Sequence, residues 1–187
     1  MLSQAEKGGV QNTIQNCVTV LQNDPVLADS IRLNLLSERI DIVKPMGWQR
    51  SGPTLTDTDM MYILRRMEKY GLYSEKRVSA AIRIVANENH YHPIRDYLND
   101  LNWDGAERIS HALHRFLGAA EDELTAEALK IFLLGAIKRV FHPGCKFEVM
   151  LCLVGGQGAG KSTFFRLLAV KDEWFSDDLK KLDDENV

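Results

Sequence analysis

The apolar residues of this chain change their spacing several times, and each change marks a different kind of element. From Thr13 the period is helical, with Ile14, Cys17, Val18 and Leu21 on one face, as a 3.6-residue repeat requires. Asp24 followed by Pro25 predicts a capped turn starting there. From Ile31 the pattern alternates, through Ile31, Leu33 and Leu35 and then Ile40 and Ile42. A period of two predicts a small hairpin or two extended segments, with a helix over 33–40 as the alternative. Pro45, Gly47, Gly52 and Pro53 make the next stretch a loop and a candidate boundary.

Helical spacing then returns. Thr56 is placed to cap a helix whose first turn holds Asp57 and Asp59, where the dipole favours negative charge. Met60, Ile63, Leu64 and Met67 form its apolar face, and Gly71 ends it. Ser74 is placed to cap a second helix with Val78, Ala81, Ile82 and Val85 inward. Pro93 opens a short helix to about residue 101. Asp104 and Gly105 turn the chain into a helix to about residue 117, with Ile109, Leu113 and Phe116 facing inward, stopped by Gly118. A longer helix over 122–141 draws its buried side from Leu124, Ala128, Ile131, Phe132, Leu134, Gly135 and Ile137, and His142, Pro143 and Gly144 end it. The run 147–154 is apolar except for Glu148, which predicts a buried strand of the parallel type. A helix is expected from Lys161 to about Ala169, and the charged tail 180–187 lacks periodicity.

The fold class that follows is mainly α: a helical N-terminal domain, then the first strand–loop–helix of an α/β P-loop ATPase domain. The expected segments are 1–52 (short helices and a hairpin), 53–143 (helical) and 144–187 (start of the ATPase domain). Such a domain flanks its central strand with several parallel strands, and only one is expected here, so the domain is expected to be incomplete. A lone apolar strand is an edge liability. It is expected to be covered by the helical block, paired with another chain (a homo-oligomer or a partner protein), or disordered.

Composition adds bounds. The chain has 187 residues, 45% hydrophobic and 26% charged, a globular balance that excludes a disordered, collagen-like or disulfide-framework chain. Its net charge of -3 removes the simplest case for nucleic-acid binding, leaving only local patches. Cys17, Cys145 and Cys152 are odd in number and widely spaced, which suggests reduced thiols in a cytosol-like compartment. No apolar run approaches the roughly 20 residues of a membrane span. The N-terminus shows no basic-then-apolar leader, its first residues with Gly8 and Gly9 are expected to be flexible, and a cytoplasmic location without membrane attachment is expected.

The candidate chemistry lies in residues 155–162: Gly155, Gly156, Gln157, Gly158, Ala159, Gly160, Lys161 and Ser162. They match G-x-x-x-x-G-K-[ST], the Walker A pattern. Glycines let the backbone curl so that successive N–H groups converge on one phosphate, and the following helix offers unpaired N–H groups and a positive dipole end. ATP with Mg²⁺ is the expected cofactor. Gly155, Gly158, Ala159, Gly160, Lys161, Ser162 and Thr163 are the candidate binding residues. Lys161 is to reach the β- and γ-phosphates, and the Ser162 hydroxyl is to ligate Mg²⁺ held through the nucleotide. Hydrolysis also needs a carboxylate on a second strand. The downstream acids Asp172, Glu173, Asp177, Asp178, Asp183, Asp184 and Glu185 follow no apolar strand, so no catalytic residue is assigned.

Several segments together resemble the virulence-associated protein E family of phages and genomic islands. They are Asn12-Thr13 with Asp24-Pro25, Asn34, Trp48, the stretch 92–98, Leu101 to Gly105 with Arg108, the stretch 143–147, the loop 155–162 itself and the stretch 174–177. The chain departs from the family pattern at Leu35-Leu36 and at Glu148. The resemblance implies a P-loop ATPase similar to superfamily 3 helicases, acting on DNA in mobile-element replication, with this chain as an N-terminal portion. Nucleotide binding is expected and hydrolysis is not. The alternative is a non-catalytic helical module that binds DNA or a protein, its P-loop vestigial.

Other residues are weighed against simpler roles. Arg65, Arg66, Lys69, Lys76, Arg77 and Arg83 make a candidate nucleic-acid patch, against a solvated helix face on which Glu68, Glu75 and Glu88 interleave. His90 with His92, and His111 with His114, lack a closed tetrahedral set for a structural metal. Trp103 to Gly105 with Arg108 reads as turn chemistry plus a packed anchor, and Trp48 as a core cap or a partner contact.

Overall fold

In the computed structural model, which describes residues 2–4 and 8–177, the chain divides into two units, Met1–Leu101 and Asn102–Val187. It is mainly helical. The division falls inside the stretch 53–143, because the segments before Gly52 share one core with the helices after Thr56.

In the first unit, α1 (Ile14–Asn23) starts where the Thr13 hydroxyl accepts from the Asn16 N–H, and it buries Cys17, Val18, Val20 and Leu21. The residues around Ser3, expected to be flexible, are held. The Asn16 amide donates to the Ser3 carbonyl at 3.0 Å and accepts from the Ser3 N–H. Strands β1 (Ile31–Asn34) and β2 (Arg39–Ile42) pair antiparallel, with Ile31 opposite Ile42. Single bridges add Tyr91 beside Asn34 and Thr54 beside Asp41. Helix α2 (Asp57–Met67) carries a full capping box between Thr56 and Asp59. A short 3-10 turn and Gly71, at φ 75°, lead through buried Leu72 into α3 (Glu75–Glu88). Ser74 stands at the expected N-cap of α3 but makes no side-chain bond there. Helix α4 (Pro93–Asn99) is capped by His92. Leu21, Leu27, Ile31, Ile63, Met67, Leu72, Val78 and Ile82 are fully buried in one core, each stabilising by roughly 1.5–3 kcal/mol before the entropy of ordering is charged against it.

Three buried aspartates tie the loops to that core. Asp24 accepts from Arg66 Nε at 2.5 Å and from the Tyr70 hydroxyl at 2.7 Å, joining the turn after α1 to α2. Asp59 accepts from Trp48 Nε1 and Arg50 Nε, both at 2.8 Å, pinning the Pro/Gly loop onto α2. Trp48 also stacks on Tyr62, with ring centroids 4.9 Å apart. Asp41 accepts from the Tyr91 hydroxyl at 2.7 Å and from Asn34 Nδ2 at 3.0 Å. Burial and that bond push the Tyr91 hydroxyl up to about 12.

In the second unit, α5 (Ile109–Leu117) and α6 (Glu123–Phe141) form an antiparallel pair joined through Gly118, at φ 66°. Only Leu113 of the inward set expected for α5 is buried, and Phe116 is 65% exposed. Helix α6 differs more. Leu124, Ile131, Leu134 and Ile137 are exposed, while Leu129 and Gly135 are buried. Apolar residues surround most of this helix, so its spacing selects no single face. The packed side is set by Leu113 and by Phe164 of α7 (Lys161–Leu168), which meet Leu129 in one cluster. Gly135 is required because the Phe147 ring occupies the space a Cβ would take.

The run 147–154 forms no strand among the described residues. Leu151 and Leu153 pack against the helical cluster, whereas Met150 and Val154 are exposed. Burial thus alternates instead of covering both faces, because no neighbouring strand satisfies the backbone on either side. Trp103, expected as a packed anchor, is 80% exposed. The turn chemistry beside it does form, with Asp104 accepting from the Ala106 N–H at 3.1 Å. The tail 180–187 lies outside the described residues. No helix among those described is long and apolar enough to cross a membrane.

Burial opposes ionisation of Asp59 and Asp24, but their donors outweigh it and hold both carboxyls below the usual carboxylate range. Their contribution to stability is therefore full above the unfolded value near about 4 and is lost as pH falls below it. Urea unfolding of the chain across this acid range should show the first unit weakening as pH drops. At neutral pH, Asp59→Ala should lower that unit's stability by about 3 kcal/mol, since it strands the Arg50 charge. A midpoint unchanged by the substitution would mean that the aspartate does not anchor the loop.

Candidate functional site

The glycine-rich loop reaches α7 from the packed run before it. Gly158 has φ 81° and Gly160 has φ 78°, both in the left-handed region that favours glycine. Gly160 is the N-cap of α7 and supplies no side chain, so no side-chain bond closes this helix start. The N–H groups of the first turn, at Lys161, Ser162 and Thr163, lie beyond the reach of any i−4 carbonyl of the helix. A Cβ at Gly155, Gly156 or Gly158 would meet nothing within 4 Å. The loop therefore leaves open space beside its backbone.

Lys161 folds back over this loop. Its Nζ donates to the Gly155 carbonyl at 2.9 Å and to the Gly156 carbonyl at 2.7 Å. Two of its three donor positions hold the loop's curvature, and the ammonium charge stays above the uncapped helix start. Ser162 and Thr163 are exposed at the next two positions, and Ala159 is exposed between the two left-handed glycines. Phe164 then anchors the helix in the cluster with Leu113 and Leu129, with its ring edge-on to Phe165. On one side the loop opens onto a hollow of about 530 Å³, whose walls include Leu117, Thr125, Ala128, Leu151, Leu153 and Lys161.

These parts fit a phosphate chain: free backbone donors, a fixed cation and no side chain in the way. For a metal, Ser162 offers one hydroxyl oxygen. Among the described residues no acid lines the hollow, and no group of three or more His, Cys, Asp or Glu could hold an ion. Mg²⁺ takes few protein ligands when phosphates supply the rest, so the donor set fits a metal carried in by a nucleotide. Of the downstream acids, Asp172 is held bidentate by Arg166, at 2.7 and 2.9 Å. Glu173 lies 3.9 Å from Lys171. Asp178, Asp183, Asp184 and Glu185 lie outside the described residues.

The six cations of the candidate nucleic-acid patch divide into two groups. Arg66 is bound to Asp24, and Arg77 donates to the Asn12 carbonyl. Arg65, Lys69, Lys76 and Arg83 are exposed and engage no partner among the described residues. The histidines have local roles. His90 Nδ1 donates to the Asn87 carbonyl at 2.9 Å. His92 Nδ1 accepts from the Arg95 N–H at the start of α4, and burial with the Arg95 charge pushes its pKa down. His111 donates to Glu121, and His114 to the Ala119 carbonyl. The reach of Lys161 to two loop carbonyls and the neighbouring hollow were not foreseen from residue order. The spacing of lysine six and five residues after those glycines is the one signal that pointed to it.

Residues 98–187 match the family model of the virulence-associated protein E-like domain. This span contains the loop, α5, α6 and α7. No curated protein matches the chain.

The loop's position depends on α7 being held. Phe164→Ala should cost about 3 kcal/mol in the second unit, measured by thermal unfolding. Gly160→Val should distort the helix start at a smaller cost to stability, because the left-handed conformation disfavours a β-branched residue by roughly 1–2 kcal/mol. If Phe164→Ala leaves the melting profile unchanged, the three-residue cluster is not what fixes the loop.

Proposed function

We propose that this chain, whose second unit carries a virulence-associated protein E-like domain, binds a nucleoside triphosphate at residues 155–163. The observation that carries the reading is the uncapped start of α7, behind two left-handed glycines and under the Lys161 ammonium. The N–H groups of Gly158 to Lys161 would hold the phosphates, and Lys161 would exchange its loop carbonyls for phosphate oxygens. Ser162 would ligate a Mg²⁺ that arrives with the nucleotide, and that ion would neutralise charge on the phosphates. Thr163 follows at the third position of the turn. The hollow beside the loop is within the size range of small-molecule sites.

The family reading extends this to a replication ATPase of the helicase type acting on DNA. Turnover asks for a carboxylate that orients water, and Asp172, the nearest described acid downstream of α7, is committed to Arg166. No carboxylate is assigned that role, and nucleotide binding without turnover is the behaviour we expect of this chain. A second reading, in which the chain is chiefly a DNA- or protein-binding module, is favoured by Arg65, Lys69, Lys76 and Arg83, which engage no partner among the described residues.

Mg-ATP at about 100 times its Kd should stabilise the second unit by about 2.7 kcal/mol, seen as a raised Tm, and Lys161→Ala should abolish that rise. Equal melting of the parent chain with and without Mg-ATP would count against the site. Phosphate release should not exceed that of the Lys161→Ala chain.

A further inference from the structure

Resting on the reading of this chain as a DNA-binding module, we propose that α3 is a duplex-DNA-reading helix, with Lys76, Ala80, Arg83 and Asn87 as the face that enters the groove. These positions lie within about 60° of arc on an α-helix. Lys76, Arg83 and Asn87 are exposed, while the opposite face, with Val78, Ala81, Ile82 and Val85, is buried in the core. The stripe is therefore held rigidly outward.

Its chemistry differs from that of an ordinary solvated helix. Such surfaces set opposite charges four residues apart. Here the residue four after Lys76 is Ala80, and the residue four after Arg83 is Asn87. Of the flanking charges, Glu75 is exposed one residue before Lys76, about 100° round the helix from it, and two others are turned elsewhere. Glu88 accepts from the Gln22 amide at 3.0 Å, and Arg77 is taken by the Asn12 carbonyl. Two free cations thus share a stripe with no acid and no large apolar side chain on it, although exposed Ile84 and Tyr73 border it. A polyanion is the complementary occupant.

Duplex DNA fits the shape as well as the charge. Arginine carries paired donors that match the two acceptors of the guanine edge, and asparagine a donor and an acceptor that match the adenine edge. Ala80 keeps the middle of the face low, so the helix can approach the groove floor. The preceding turn, with Gly71 in the left-handed region and Leu72 buried, joins α2 to α3 as two helices linked by a short turn. Arg65 stands exposed in the last turn of α2 and Lys69 in the 3-10 turn after it, where they can meet phosphates and set the register without reading bases. A single strand would instead call for a run of stacking aromatics, and the stripe has none.

The test is fluorescence anisotropy of the full chain with a labelled duplex of about 20 base pairs and with its separate strand, at about 50 and 200 mM salt. The duplex should bind more tightly than the strand, and its affinity should fall at least about tenfold between the two salts. The pair Lys76→Ala with Arg83→Ala should weaken duplex binding about tenfold or more and flatten the salt slope by about two. The pair Arg39→Ala with Lys44→Ala removes the same charge elsewhere in the unit and should change affinity by less than about twofold. Circular dichroism confirms that each variant is folded. Lys161→Ala should bind duplex as the parent does, so failure of the nucleotide site is read separately. Equal weakening by the two pairs, tighter binding of the single strand, or no duplex binding at low salt would overturn the proposal.

Discussion

The N–H groups at the start of a helix have no carbonyl behind them, and how each helix meets that constraint decides where this chain can take an anion. Thr13, Thr56, His92 and Asp122 place a side-chain acceptor at the starts of α1, α2, α4 and α6. Those ends are closed. Helices α3 and α5 lack such a bond, but Ser74 and Arg108 precede them at negative φ. At α7 the cap is Gly160 in the left-handed region, with no side chain, and a lysine ammonium lies over the opening. The same backbone requirement that a side chain meets at four helices is left without one at three, and at α7 the glycine-rich loop and its lysine leave it where a phosphate can meet it.

Buried carboxylates impose the second constraint. An aspartate taken out of water must find donors within the fold. Asp24 takes Arg66 and Tyr70, and the Asp59 carboxylate takes Arg50, Trp48 and the N–H and hydroxyl of Thr56. These bonds stitch the turn after α1 and the Pro/Gly loop to α2. They also remove Arg66 from the surface charge available to a partner. The cations that remain on α2 and α3 are a remainder set by the interior.

The elements were largely legible in residue order. The helical start at Thr13, the cap at Thr56, stops at Gly71 and Gly118 and the alternation of the hairpin are local signals, settled by the next three or four residues. Which face of α6 is buried was not legible. Its apolar residues surround most of the helix, so Leu129 is inward because Leu113 and Phe164 are there, and Leu124 and Leu134 are outward because nothing described covers them. The run 147–154 read as a strand for its hydrophobicity, yet a strand exists only through the neighbour that pairs with it.

The sequence by itself determined what depends on short range: the turns, the helix starts and the glycine-rich loop with its lysine. The tertiary structure decided what depends on residues far apart in the chain. It made Arg66 an internal counterion and left Lys76 and Arg83 free, because Asp24 comes to lie beside α2, 42 residues away in sequence. It seated the Phe147 ring on Gly135. Charge and volume are satisfied by whichever groups packing brings together, and spacing along the chain carries no record of those meetings.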